Sequence, residues 1–279
     1  MDRSKIGLVL GGGGARGLAH IGVLQVLDRE RIPFDFIVGT SMGGIVGVLH
    51  ALGISPEQLA EQMRAIRGNS LINVTRLSAR RRQRMMRNLL AGALEGKTFA
   101  DLKVPVMLTA VNMIQGREVI LNEGPLMPAV LASSAMPAVF PPVELNGMQL
   151  ADGGVIDSLA THVAYEHGAD KVIAVDVYPP LKEGTSWADP ISAVTGVQLP
   201  FGNGSTRPPG MVKTTWRAAR VLLWYVHQQR LAAHPPDVLL RPNVSDYGSL
   251  DFRNLEGPLL AGKAEAERHL EEIRALLRE

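Results

Sequence analysis

The sequence predicts an α/β fold built on a mainly parallel central sheet, and three segments carry that expectation. Ile6-Gly7-Leu8-Val9-Leu10 is an apolar run that breaks into Gly11-Gly12-Gly13-Gly14-Ala15-Arg16-Gly17 and then into Leu18 to Leu27, the order strand, glycine loop, helix. Phe36-Ile37-Val38 ends in a glycine-flanked serine and is followed by the helix-like stretch Gly44 to Leu52. Lys171-Val172-Ile173-Ala174-Val175-Asp176-Val177 is nearly continuous in its apolar character, the mark of a parallel strand covered on both faces.

The glycine loop comes first along the chain. Glycines leave backbone N–H groups open at a helix N-terminus, where the dipole favours negative charge. Two anions fit. Gly12, Gly14 and Gly17 satisfy G-x-G-x-x-G, which would serve a dinucleotide phosphate. The same loop could serve the transient oxyanion of an acyl-transfer intermediate. A dinucleotide site wants an acidic residue after the second strand, but Asp35 stands before Phe36, and no G-K-[ST] follows to make a P-loop.

Next comes Gly39-Thr40-Ser41-Met42-Gly43, a G-x-S-x-G pentapeptide between strand and helix. On so sharp a turn the Ser41 oxygen projects clear of the backbone, which suits a nucleophile. The bland reading is a small-residue turn whose serine caps the helix. An oxyanion loop beside a nucleophile accounts for both motifs, whereas a nucleotide loop accounts for one.

Arg76, Arg80, Arg81, Arg82, Arg84 and Arg87 then crowd one segment among Met85, Met86, Leu89 and Leu90. On a helix Arg80, Arg84 and Arg87 would share a face. That face could meet anionic lipid headgroups in a peripheral membrane contact; charge runs are more often a solvated surface. Val104 to Val111 reads as a strand with Arg117 to Leu121 as its hairpin partner, and Gly147 to Ala151 as a short strand leading to Asp152-Gly153-Gly154. A helix is expected over Ser158 to Gly168. Tyr178 to Thr215, rich in Pro, Gly and polar residues, reads as a flexible insert, most clearly over 180–214. Thr215 to Ala233 and Leu255 to Glu279 are expected to be helices.

A serine nucleophile needs a proton acceptor. None of the seven histidines stands in a distinctive loop. His20, just after the glycine loop, is the least bland of them; His162 and His167 read as structural or solvent-facing. Asp152, before two glycines, is a turn former or the base.

Gly12 to Gly17, Gly39 to Gly43 and Asp152-Gly153-Gly154 occur in the order of the patatin-like phospholipase family, which the chain resembles from about Lys5 to Val177, with a weaker tail through Asp237 to Leu240. Ala132 to Pro137 followed by Phe140-Pro141-Pro142 is similar to the stretch upstream of that family's aspartate. The resemblance is to compact bacterial members. It implies a three-layer α/β/α fold and a Ser–Asp dyad without histidine, with Ser41 as nucleophile and Asp152 as general base. Gly12, Gly13 and Gly14 would donate to the oxyanion, Arg16 would position that loop or neutralise charge, and Gly17, Gly39, Gly43, Gly153 and Gly154 would support the turns. The implied activity is hydrolysis of carboxylic esters of lipids through an acyl-enzyme, with no cofactor. Where many relatives carry asparagines and a proline, this chain has Val155-Ile156-Asp157-Ser158-Leu159. Two alternatives stay open: a Ser-His-Asp hydrolase, disfavoured because few strands precede Ser41, and a lipid-binding or regulatory module of the same fold with little turnover.

Composition bounds the rest. The 279 residues, 46% of them hydrophobic, suffice for one α/β domain over 5–279. There is no cysteine for disulfides or thiolate metal sites, and His162 and His167 lie five apart, off a shared helix face. With only 5% aromatic residues and a net charge of +2, nucleic-acid binding is disfavoured. The start Met1-Asp2-Arg3-Ser4-Lys5 has no apolar leader and no run is long enough to span a bilayer, so a cytoplasmic protein is expected.

Overall fold

A computed structural model describes residues 3–66, 78–181 and 210–278. Five strands form its parallel core: β1 (Ile6–Leu10), β2 (Phe36–Thr40), β3 (Val106–Asn112), β7 (Lys171–Val175) and β8 (Val238–Leu240), in the order β3-β2-β1-β7-β8. β4 (Arg117–Leu121) and β6 (Met148–Asp152) pair antiparallel with β3, and β5 (Val143–Leu145) closes a hairpin on β6. The hairpin of β3 with β4 is as the sequence suggests.

Alternation along the strands divides the core into two layers. Leu8, Leu10, Ile37, Leu108, Ile173 and Val175 face one apolar cluster, while Val9, Phe36, Val38, Met107, Val172 and Ala174 face another. The first is thick and is covered by α1 (Ala19–Arg29), α2 (Met42–Ala51), α3 (Pro56–Ile66), α5 (Leu126–Ser133) and α8 (Glu256–Arg268). The second is thinner, covered by α6 (Thr161–Glu166) and Leu231 of α7 (Met211–Ala233). Both faces of the parallel core are buried, which is why its strands are mostly apolar rather than alternately polar. This is the expected three-layer α/β/α architecture with a mainly parallel sheet.

One feature of register places the site. Leu108 pairs with both Gly39 of β2 and Leu121 of β4, so β2 and β4 take opposite edges of β3. Ala110 pairs with both Val119 of β4 and Asp152 of β6, so β6 shares the edge used by β2. β2 ends at Thr40, opposite Thr109, and β6, running the other way, ends at Asp152, opposite Ala110. The two strand ends meet head to head. The residue after Thr40 is Ser41.

Three elements depart from expectation by more than two residues or by a break. The helix expected from Ser158 begins at Thr161, because Asp157 Oδ1 accepts the Leu159 N–H (3.0 Å) and Ser158 bonds to Gly12 instead. The terminal helix is two, α8 and α9 (Leu270–Leu276), broken at His269, whose ring Nδ1 donates to the Glu265 carbonyl at 3.1 Å. α7 starts at Met211, so residues 211–214 of the expected flexible insert are helical, while 182–209 lie outside the described residues, as does Arg76.

Candidate active site

Ser41 occupies the turn between β2 and α2 with φ 54° and ψ −120°. That left-handed backbone, rare for a residue with a Cβ, is a strained conformation of the kind that clusters at functional sites. The helix-cap reading fails on geometry, since the Ser41 side chain makes no capping hydrogen bond to α2. Its hydroxyl meets the Asp152 carboxyl instead, a contact that favours the ionised form. The bend is tight enough that a Cβ on Gly43 would collide with the Leu10 carbonyl, so α2 leaves the sheet directly against the end of β1. Behind the turn, Thr40 and Thr109 join hydroxyls at 2.8 Å across the strand register, and the Ser41 N–H donates to the buried Ser133 hydroxyl at 3.1 Å.

Asp152 is 5% exposed. Its N–H donates to the Ala135 carbonyl (3.1 Å), and its Oδ1 accepts the Gly154 N–H (2.8 Å). Burial pushes its carboxyl up from 3.8 to about 6, against the opposing hydrogen bonds from Ser41 and Gly154. A carboxylate in that range is ionised at neutral pH yet basic enough to accept a proton.

The glycine loop lies beside Ser41, where a Cβ on Gly12 would stand 3.4 Å from the Ser41 Cβ. The structure divides the three glycines. Gly12 was expected to donate to an oxyanion, but its N–H already donates to the Ser158 carbonyl at 2.8 Å. The N–H groups of Gly13 and Gly14 have no partner among the described residues. Gly14, at φ +59°, has no room for a Cβ against the Ser249 carbonyl, which also accepts the Ala15 N–H at 2.8 Å. Arg16 donates from Nε to the Tyr247 carbonyl at 2.7 Å, and burial lowers its guanidinium to about 10. Gly17 packs against Met42, Gly39 against Gly44, and Gly153 against Thr109.

Neither His20 nor His162 bonds to Ser41 or Asp152. His20 is fully buried, donates from Nε2 to the Gly11 carbonyl (2.7 Å), and is driven down to about 4 by desolvation, so it is neutral. His162 bonds Glu118 (2.8 Å) and pairs with Asp157 (3.4 Å), which raise it to about 9; Arg230 completes this cluster at 3.6 Å from Asp157. Asp35 is tied to Arg3 at 2.7 Å and accepts the Ile6 N–H, a structural use. Among the described residues no cluster of three or more His, Cys, Asp or Glu could hold a metal ion.

An apolar cavity of about 180 Å³ opens on Ser41. Met42, Ile45 and Leu49 line it from successive turns of α2, and Met85, Met86, Leu89 and Leu90 from α4 (Ala79–Leu94), with Phe140 and Phe252. α4 is pinned across it by Arg82, whose Nε donates to the Val139 carbonyl at 2.8 Å. Arg80, Arg81, Arg84 and Arg87 are exposed on the opposite side. Both the arginines of this helix and the Met and Leu residues among them stood out in the sequence; that the apolar ones line a cavity at Ser41 did not. The signal was the Met85-Met86 and Leu89-Leu90 pairs at helical spacing. Ser133, Ser134 and Ser158 stand in or beside the motifs, and no sequence signal gives them a role.

A family model described as patatin-like phospholipase matches residues 8–165. The chain is 30% identical over 277 residues to an uncharacterized NTE family protein of Mycobacterium tuberculosis (strain CDC 1551 / Oshkosh), a match covering 96% of this chain and 46% of that protein. It is 29% identical over 279 residues to lysophospholipase NTE1 of Candida glabrata, covering 92% of this chain and 15% of the relative. The chain thus spans about half, or less, of the length of the curated relatives it matches. In structure it is similar to VipD from Legionella pneumophila, with a TM-score of 0.52 at 12% identity over 99% of this chain and 67% of VipD, a likeness of fold alone.

Proposed function

The chain belongs to the patatin-like phospholipase family, and from that premise we propose that it is a serine hydrolase of lipid carboxylic esters, acting through a Ser41–Asp152 dyad and an acyl-enzyme. One observation carries the reading. The Ser41 hydroxyl, on a strained turn, meets a buried carboxyl while facing an apolar cavity of about 180 Å³.

In this reading the acyl chain of the substrate lies along α2 and α4, each buried methylene contributing about 0.8 kcal/mol. The ester carbonyl is left at Ser41. Asp152 accepts the hydroxyl proton as Ser41 Oγ attacks the carbonyl carbon, and the oxygen of the tetrahedral intermediate takes the negative charge. The unpartnered N–H groups of Gly13 and Gly14 meet that charge; one such donor contributes about 3–4 kcal/mol to lowering the barrier. Asp152 returns the proton to the leaving alcohol, and the acyl-enzyme is hydrolysed by the same steps with water as nucleophile. Lysophospholipids and single-chain esters are the first substrates to try, since a named relative is a lysophospholipase. The exposed arginines of α4 are suited to anionic headgroups at a peripheral membrane contact. Among the described residues no helix is long and apolar enough to cross a membrane.

The test is a panel of lysophospholipids and p-nitrophenyl esters presented to the wild type and to Ser41→Ala. Turnover confined to the wild type supports the reading. A wild type that binds the lipids without turning them over favours the lipid-binding module.

A further inference from the structure

The hydrogen bonds that hold the glycine loop do not come from Ser41 or Asp152. Gly11 donates its N–H to the Val175 carbonyl (3.1 Å), and its own carbonyl accepts from His20 Nε2 (2.7 Å). Gly12 donates its N–H to the Ser158 carbonyl (2.8 Å), and its carbonyl accepts from the Ser158 hydroxyl (3.0 Å). Both polar groups of Gly12 therefore end on one residue, which is 6% exposed.

Peptide geometry gives this clamp a consequence. In a trans peptide unit the C=O and the N–H point in opposite directions from one rigid plane. The Gly12 carbonyl and the Gly13 N–H belong to the same unit. Once the Ser158 hydroxyl holds the Gly12 oxygen, the plane is set, and the Gly13 N–H projects away from Ser158. A hydrogen bond on the carbonyl also polarises that unit, which strengthens its N–H as a donor. The preceding unit is held at both ends as well, by His20 on the Gly11 oxygen and by Ser158 on the Gly12 N–H.

Ser158 also stands on the loop that leaves Asp152, and that loop is itself restrained. Asp152 accepts the Gly154 N–H, Asp157 donates its N–H to the Gly153 carbonyl (2.9 Å), and Asp157 Oδ1 accepts the Leu159 N–H (3.0 Å). The other Asp157 oxygen lies 3.4 Å from His162 and 3.6 Å from Arg230. One short segment thus carries the carboxylate at one end and the clamp on Gly12 at the other.

We propose that Ser158 is a positioning residue for the oxyanion loop, fixing the peptide planes around Gly12 so that the Gly13 N–H is aimed, and that it locks this loop to Asp152. The proposal rests on the hydrolase reading of Ser41 and adds a residue outside its motifs.

The experiment compares wild type, Ser158→Ala and Ser158→Thr on p-nitrophenyl butyrate, with the Gly13 amide followed by proton–nitrogen NMR. In Ser158→Ala, kcat is expected to fall about 10- to 100-fold, short of the 10²–10³ for losing an oxyanion donor outright. KM should change by less than about twofold, because the loss is confined to the transition state. The Gly13 amide resonance should move, and Ser158→Thr, which keeps the hydroxyl, should restore both. Should Ser158→Ala fail to fold, Ser158→Cys keeps the volume while replacing the O–H by a weak S–H donor, with the same expectations. Unchanged kcat, a lower kcat with an unmoved Gly13 amide, or a rise in KM alone overturns the proposal. A wild type without turnover overturns the hydrolase reading, and the Gly13 amide still decides the clamp.

Discussion

Asp152→Asn should leave the protein more stable at neutral pH while removing most of its activity. The Asp152 carboxyl is raised from 3.8 to about 6 by burial. A group whose folded value is raised contributes stability that is full below its unfolded value and is lost as pH rises through the folded one. The window is therefore about pH 4 to 7. A shift from 3.8 to about 6 amounts to about 3 kcal/mol at 1.36 kcal/mol per pH unit. Asparagine carries no charge, and its amide oxygen can still accept the Gly154 N–H. The stability advantage of Asp152→Asn over wild type should thus grow by about 2–3 kcal/mol between about pH 4 and pH 7. Urea denaturation of both proteins across that range reads it. Activity should fall by about two to four orders of magnitude, the range for a lost general base. A stability difference that does not change with pH, or one that turns against asparagine as pH rises, would refute the argument.

Three further outcomes are expected. Ile45→Trp, one turn along α2 from Ser41, should fill the cavity and lower kcat/KM for decanoyl esters at least about tenfold more than for acetyl esters, since each methylene contributes about 0.8 kcal/mol; an unchanged ratio places the acyl chain elsewhere. Gly14→Ala should destabilise the fold, because its φ is +59° and a Cβ meets the Ser249 carbonyl; thermal melting equal to wild type would show that the loop can re-form. His162→Ala should retain kcat, unlike Asp152→Asn, and should abolish a loss of stability that the wild type shows as pH rises through about 9, the value to which Asp157 and Glu118 raise His162. Denaturation at pH 7 and pH 10 checks the second point, and a kcat loss matching Asp152→Asn would return histidine to the mechanism.

The parallel core was legible in the sequence because a strand buried on both faces is nearly continuous in its apolar residues, as β1, β2 and β7 are. Ser41 and Asp152 were legible as residues because glycines flank them. Their juxtaposition came only through the family resemblance, for it depends on β2 and β6 meeting end to end on one edge of β3, a long-range register with no local signature. Gly12 was misjudged as a donor for a similar reason: its N–H is consumed by Ser158, 146 residues along the chain. In α4 the arginines and the Met and Leu residues among them were read as one surface; that the apolar residues turn inward to line the cavity depends on α2 and on Phe140 and Phe252, far along the chain. The helix expected from Ser158 failed because side-chain bonds of Asp157 and Ser158 compete with helical ones there.

The reaction of the protein with a fluorophosphonate ester, followed by intact mass against pH and by peptide mapping, tests the dyad itself. A single adduct on Ser41 is predicted, absent in Ser41→Ala, with a labelling rate that rises about tenfold between about pH 5 and pH 7 as a base of the Asp152 kind ionises. An adduct on another residue, or a rate on Ser41 that survives Asp152→Asn unchanged, would contradict the assignment of Ser41 and Asp152 as nucleophile and base.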